Sequence, residues 1–208
     1  MKRRPIAIFR RSVLTLVGVM AVATALCARP AAARAANPEV AVTFVTELTT
    51  EAINILRQAE ANDIEEQKDM FRDILHQGFD FNAIGRLILG RHWRTASKEQ
   101  RADYLRLFPE YVLRTYSSML GGYTDERFEI GRAKPVGKAD MMVDSRIVGL
   151  EGPPVVVNWR VRVINEQYKV IDVSVEGVSM ILTKRSEFSS VIKNKGFDGL
   201  LNALQPPT

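Results

Sequence analysis

Chemically versatile side chains are scarce here. The 208 residues hold one cysteine and two histidines. Cys27 falls in a segment read below as cleaved, which leaves the mature chain without disulfide or thiol chemistry. No Cys/His/Asp cluster has metal-ligand spacing, so no metal is expected. No cofactor motif appears: G-x-G-x-x-G and the phosphate-binding loop are both missing. G-x-S-x-G is missing too, since Gly177-Val178-Ser179-Met180-Ile181 lacks the second glycine of a nucleophile elbow. A triad drawn from distant positions has only two histidines to use. His92, in "GRHWR", reads as a loop residue after a helix stop, although headgroup binding or a base role would also use a histidine there. His76, near a helix C-terminus, reads as a dipole partner when protonated. No catalytic residue is expected.

Positive charge is also scarcer than the total suggests. The chain opens with a basic front (Lys2, Arg3, Arg4, Arg10, Arg11) and an uncharged, mostly apolar run from Ser12 to Ala28. That run is shorter than the roughly 20 residues of a membrane span. Ala31-Ala32-Ala33 and Ala33-Arg34-Ala35 both fit an A-x-A cleavage site, so residues 1–35 read as an export signal. Arg10-Arg11 also fits a twin-arginine signal; the general secretory route is preferred, because isolated Arg pairs are common. The signal holds seven of the 29 Lys/Arg and none of the 24 Asp/Glu. The rest has 22 basic against 24 acidic side chains, a net charge of −2, and the footprint of a nucleic-acid binder disappears. An exported chain without cysteine suits a periplasm. Residues 36–208 are of a size for one domain, read as a monomer.

Apolar periodicity is what the chain has in plenty. Pro38 suits a first helical turn, and Val40, Phe44, Leu48, Ala52, Ile55 and Leu56 make a stripe at helical spacing. A second helix fits Ile64 to Gln77, with Phe71, Ile74 and Leu75 inward. A third fits Phe81 to Leu89, between a capping Asp80 and a stopping Gly90. Ser97 and Gln100 have capping-box spacing for a long helix lined by Leu105, Phe108, Val112, Tyr116 and Met119 and ended by Gly121-Gly122. Pro109 inside it predicts a kink or a break.

The second half alternates. Phe128 to Lys134, Met141 to Val148, "VVVNWRVRVI" from Val155 to Ile164, and Tyr168 to Val178 read as strands. In the third, Val155, Val157, Trp159, Val161 and Val163 face one way, and Asn158, Arg160 and Arg162 the other. In the last, Ile171, Val173 and Val175 alternate against Val170, Asp172, Ser174 and Glu176. Asp172 and Glu176 read as partners of Arg160 and Arg162 on the neighbouring strand rather than as an acid/base pair. Short loops, including a tight turn at "NEQ", imply antiparallel pairing, and two short helices close the chain after Thr183. The fold class is therefore α+β: N-terminal helices packed on a C-terminal antiparallel sheet.

The sheet offers Val157, Trp159, Val161, Val173 and Val175. The helices offer Phe71, Phe81, Ile84, Leu87, Ile88, Phe108, Val112 and Tyr116. Singly, each fits an ordinary core. If the helix with Pro109 stands off the sheet, the same residues line a dry cavity for an apolar guest.

"FDFNAIGRLILGRHWR", "FPEYVLRTYSSML", "VVVNWRVRV", "YKVIDVSVEGVSMILTKRSEF" and the closing "GFDGLLNAL" resemble the periplasmic phospholipid-shuttle family, also called the toluene-tolerance family. The likeness runs from about Asn37 to Leu204. Its most specific part is Asp172-Val173-x-Val175-Glu176-Gly177-Val178-Ser179 followed by Arg185-x-Glu187-Phe188. It implies an apolar cavity between the layers, acyl chains inside and the headgroup near the mouth. It implies docking with an inner-membrane ABC complex and an outer-membrane lipoprotein complex, and no catalysis. "LGRHWRTAS" and "VSMILTKRSEF" resemble a branch tied to hopanoid synthesis, which makes a polycyclic isoprenoid an alternative cargo. A periplasmic adaptor without lipid is the alternative of another class. For a lipid carrier, the expected contacts are Phe81, Ile84, Leu87, Ile88, Phe108, Val112, Tyr116, Val157, Trp159, Val161, Val173 and Val175. Arg91 and Arg94 beside Trp93 are placed at the mouth near a phosphate. Arg160 and Arg162 fall to a partner-facing surface.

Overall fold

The computed structural model describes residues 37–57, 64–117, 126–149 and 152–206. The export signal with Cys27, and Met119 and Gly121-Gly122 at the expected end of the long helix, lie outside the described residues.

Among the described residues five helical segments come first: α1 (Pro38–Arg57), α2 (Ile64–Gly78), α3 (Phe81–Leu89), α4 (Arg91–Thr95) and α5 (Lys98–Ser117). Four long strands and a short one follow: β1 (Arg127–Val136), β2 (Asp140–Val148), β3 (Val155–Ile164), β4 (Gln167–Val175) and β5 (Val178–Ser179). α6 (Met180–Leu204) closes the chain and is broken at Gly196, where φ is 73°. The sheet is a meander in sequence order with every pair antiparallel. It is the expected α+β arrangement of helices on an antiparallel sheet.

Local chemistry sets these boundaries. The Asp80 carboxylate accepts from the Ala83 amide at 2.8 Å and starts α3; Gly90 ends it. Ser97 and Gln100 bond each other's backbone amides reciprocally at 3.1 Å and start α5. Pro109 lies inside α5, which continues to Ser117, so the break allowed for there does not occur. Asn165 and Glu166 take φ of 49° and 66°, the conformation of a two-residue hairpin turn that follows the sheet's twist. α3 meets α5 at Gly85, where a Cβ would come within 2.9 Å of the Tyr104 ring.

Two expectations need correction. The buried face of α1 is Ala41, Val45, Leu48, Thr49 and Ile55, one position round from the stripe expected; Val40 is 43% exposed. Phe44 lies at the margin of that face, with its ring 6.0 Å from that of Tyr168. The last strand stops at Val175 rather than Val178. Glu176 and Gly177, both with positive φ, turn the chain back into β5.

A bulge in β4 changes which residues face the helices. Trp159 pairs with Val173 and Arg160 with Asp172, but Val161 pairs with Val170, leaving Ile171 extra. Val170 therefore joins the inner face with Val173 and Val175, against the simple alternation. The bulge sits where the α2–α3 junction is fastened: the Asp80 amide donates to the Val170 carbonyl at 3.1 Å, and Phe79 bridges to Val170.

Among the described residues the buried apolar side chains form two clusters. One joins α1 to the sheet: Ala41, Val45, Leu48, Ile55 and Ile74 against Met141, Val143, Val161 and Val170. The other lies among the helices: Phe81, Ile84, Ile88, Leu89, Tyr104, Phe108, Ile181, Phe188, Leu200 and Leu204.

Candidate functional site

Between the helices and the far part of the sheet lies a cavity of about 530 Å³. That falls within the roughly 300–1,000 Å³ typical of ligand sites. β3 and β4 supply Trp159, Asp172, Val173 and Val175 as the floor. α2 and its junction add Phe71, Leu75 and Phe79; α3 adds Phe81, Ile84 and Ile88. α5 adds Phe108, Tyr111, Val112, Leu113 and Tyr116, and α6 closes the wall with Met180, Ile181 and Lys184.

Nine of the twelve expected lipid contacts line it: Phe81, Ile84, Ile88, Phe108, Val112, Tyr116, Trp159, Val173 and Val175. Leu87, Val157 and Val161 are not part of the wall. At about 100° per residue, Phe81, Ile84 and Ile88 share a narrow arc of α3, and Leu87 falls to one side of it. Its carbonyl instead accepts from Arg185 Nε at 3.0 Å. Val161 is fully buried in the α1–sheet cluster. Val157 is 4% exposed at the other end of β3, and its carbonyl accepts from Ser145 Oγ at 2.8 Å. Trp159, the larger side chain between the two valines, makes the wall. Its indole N–H donates to Ser145 Oγ at 2.9 Å, so the ring is fixed with its polar atom satisfied.

Sequence reasoning missed Phe79, Tyr111, Leu113, Asp172, Met180, Ile181 and Lys184 as wall residues, treated Leu75 only as inward-facing, and offered Phe71 for a cavity without placing it among the lipid contacts. Tyr111 was within reach, since Phe108, Tyr111, Val112 and Tyr116 share one face of a helix. Phe79, Met180 and Ile181 sit at element junctions, where periodicity carries no signal.

Lys184, Tyr111 and Asp172, polar side chains of the wall, are themselves hydrogen-bonded. The Lys184 ammonium donates to Tyr111 Oη at 2.9 Å and to Glu187 Oε2 at 2.8 Å, and Tyr111 Oη bonds Glu187 Oε1 at 3.3 Å. Burial alone would lower the Lys184 pKa, but bonding to Glu187 and Tyr111 outweighs it and holds the ammonium above its ordinary value. Burial pushes the Tyr116 phenol up, so it stays protonated. Asp172 accepts from Ser179 Oγ at 2.6 Å and from the Ile181 amide at 3.2 Å, at the start of α6.

The cross-strand pairs expected for Asp172 and Glu176 therefore do not form. Glu176 accepts from the Val156 amide. Arg160 and Arg162 both turn to Asp140 on β2, with Nε–O distances of 2.7 and 2.6 Å. Burial would raise the Asp140 carboxyl; bonds from Arg162 and Arg160 overcome this and hold it below its ordinary value. Arg91 and Arg94 lie exposed on α4 and take no part in the wall. Among the described residues no group of three His, Cys, Asp or Glu could hold a metal ion, and no helix is long and apolar enough to cross a membrane.

The family model described as MlaC protein matches residues 46–206. The chain is similar to the intermembrane phospholipid transport system binding protein MlaC of Haemophilus influenzae. The two are 23% identical over 156 residues, 71% of this chain and 73% of that protein. Among solved structures it is similar to a phospholipid-binding protein from Ralstonia solanacearum in complex with a phospholipid. The TM-score is 0.70 at 21% identity, over 79% of this chain and 94% of that one. At that identity the likeness speaks for a shared fold.

Proposed function

The chain belongs to the MlaC family, and from that premise we propose that it is a periplasmic carrier of phospholipid. Residues 1–35 are its cleaved export signal and 36–208 its single lipid-binding domain. The carrying observation is the cavity of about 530 Å³ with an almost wholly apolar wall. Each methylene moved from water into such a space gains about 0.8 kcal/mol, so acyl chains held there escape slowly. The polar exception, Lys184 with Tyr111 and Glu187, marks the side where a headgroup sits. Escape in a useful time requires a partner that competes for the chains or opens the wall. An inner-membrane ABC complex and an outer-membrane lipoprotein complex are the two stations between which such a carrier moves. Nothing in this cycle asks for bond chemistry.

The test is lipid mass spectrometry on an organic extract of the mature protein, purified natively without detergent. Phospholipid near one molecule per chain is expected. A polycyclic isoprenoid would move the chain to the hopanoid alternative, and a clean extract would overturn the carrier reading in favour of a lipid-free adaptor.

A further inference from the structure

Five arginines from four elements gather at the α3–α4 corner, two of them over the ring of Trp93, and none of them lines the cavity. Trp93 sits on α4. The guanidinium carbon of Arg86, from α3, lies 5.1 Å from its ring centroid, and that of Arg101, from α5, lies 5.4 Å away. Arg91 and Arg94 are exposed on α4 itself. Arg185, from α6, reaches across Gly90, where an added Cβ would meet its Nε at 3.7 Å, and is held by the Leu87 carbonyl.

Among the described residues none of these five guanidiniums meets a carboxylate, whereas Arg72, Arg106, Arg160 and Arg162 each hold one. The acids of neighbouring segments are taken: Glu99 by Ser97, Asp103 by Arg106, Glu187 by Lys184, Asp198 by Gln100. Two polar atoms in the same corner, His92 Nε2 and Arg101 Nε, are buried without a hydrogen-bond partner. Like charges gathered this way repel and lower the stability of the fold unless an anion meets them. The mature chain carries a net charge of −2, so this positive field is local.

We propose that this corner docks an acidic polypeptide segment of a partner protein, separately from the cavity. The guanidinium fork matches a carboxylate bidentately, and stacking on Trp93 holds Arg86 and Arg101 in place beforehand. A lipid surface fits less well. Membrane-binding surfaces couple cations to apolar anchors. Among the described residues the exposed large apolar side chains are Val40, Val155, Val156, Val178 and Leu182; α3, α4 and α5 carry none of them, Leu182 alone shares α6 with Arg185, and Trp93 already has two guanidiniums over its ring. The inference does not depend on what the cavity holds.

The experiment measures fluorescence anisotropy of a dye-labelled peptide of alternating glutamate and serine against the mature chain. A glutamine-for-glutamate peptide and phosphatidylglycerol vesicles are run in parallel. Expected are saturable binding of the glutamate peptide, weakening with added salt, and a loss of roughly tenfold or more in R91E/R94E, with R91Q/R94Q between. Extracted lipid per chain should stay unchanged in both variants. If R91E/R94E does not fold, R91Q/R94Q carries the comparison. No binding by the wild type, equal binding by the variants, or a loss confined to vesicle binding would overturn the proposal, the last in favour of a membrane surface. Lost lipid in a variant that melts normally would overturn the separation from the cavity.

Discussion

The inner face of the sheet has two ends that meet different things. At one end Val143, Val161 and Val170 are fully buried beneath α1, against Ala41 and Val45. At the other, Trp159, Val173 and Val175 are half-buried and face an open cavity. The strands, the face and largely the residue type are the same. The difference lies in what covers them. α1 presents small side chains and settles onto the sheet. Over the other end the helices carry rings that brace one another: Phe108 lies 5.4 Å from Tyr104, 5.9 Å from Phe81 and 6.4 Å from Phe188. A helical layer wedged in this way cannot collapse onto the sheet, and the space persists. Alternation assigns a side chain to a face; the facing element decides whether it meets protein or guest.

The sharpest way to break the contrast is to put the same charge at both ends. Val161→Glu places an unpaired carboxylate in a sealed core. It should cost at least about 4 kcal/mol, read as lost soluble, cooperatively unfolding protein. A normally folded V161E would mean that the α1 end is as open as the other.

Phe108→Ala attacks the brace and should cost about 3–5 kcal/mol by urea unfolding. Because Phe108 also lines the cavity, its removal should change the bound-lipid profile as well; an unchanged profile would confine the ring to the helix cluster.

Much of this was legible, and the failures are physical. Asp80, Gly90, Ser97 and Gln100 act within a few residues of themselves, so their caps read correctly. The outward direction of Arg160 and Arg162 follows from alternation alone. Their partner did not, because Asp172 directly opposite Arg160 is drawn to the start of α6, while Asp140 on the other neighbouring strand is free to take both. The bulge at Ile171 was hidden because Val170 and Ile171 are both apolar and either could turn inward. Val161 and Val175 were expected to behave alike, because the position of α1 is a tertiary fact that no strand pattern contains.

The outer face offers a milder contrast, since its three charges, Asp140 with Arg160 and Arg162, satisfy one another rather than leave a vacancy in packing. The Asp140 carboxyl titrates below its ordinary 3.8 in the folded chain and near it in the unfolded chain. Its contribution is therefore fully present above that value and lost as pH falls through the folded pKa. Asp140→Asn should cost about 1–2 kcal/mol at neutral pH, discounted because Arg160 and Arg162 are partly exposed. It should also flatten the acid limb of the urea midpoint below about pH 4. An unchanged acid limb would remove Asp140 from that role.

The smallest expected change in stability, under about 1 kcal/mol, belongs to Val175→Glu, whose carboxylate enters an open space next to solvent. That makes it the variant for the central claim. Wild type and V175E, both folded and purified natively, are compared for bound phospholipid per chain by mass spectrometry. A lipid cavity at this end of the sheet predicts a loss of roughly tenfold, from burial of a charge against acyl chains. Equal loading in the two proteins would contradict it.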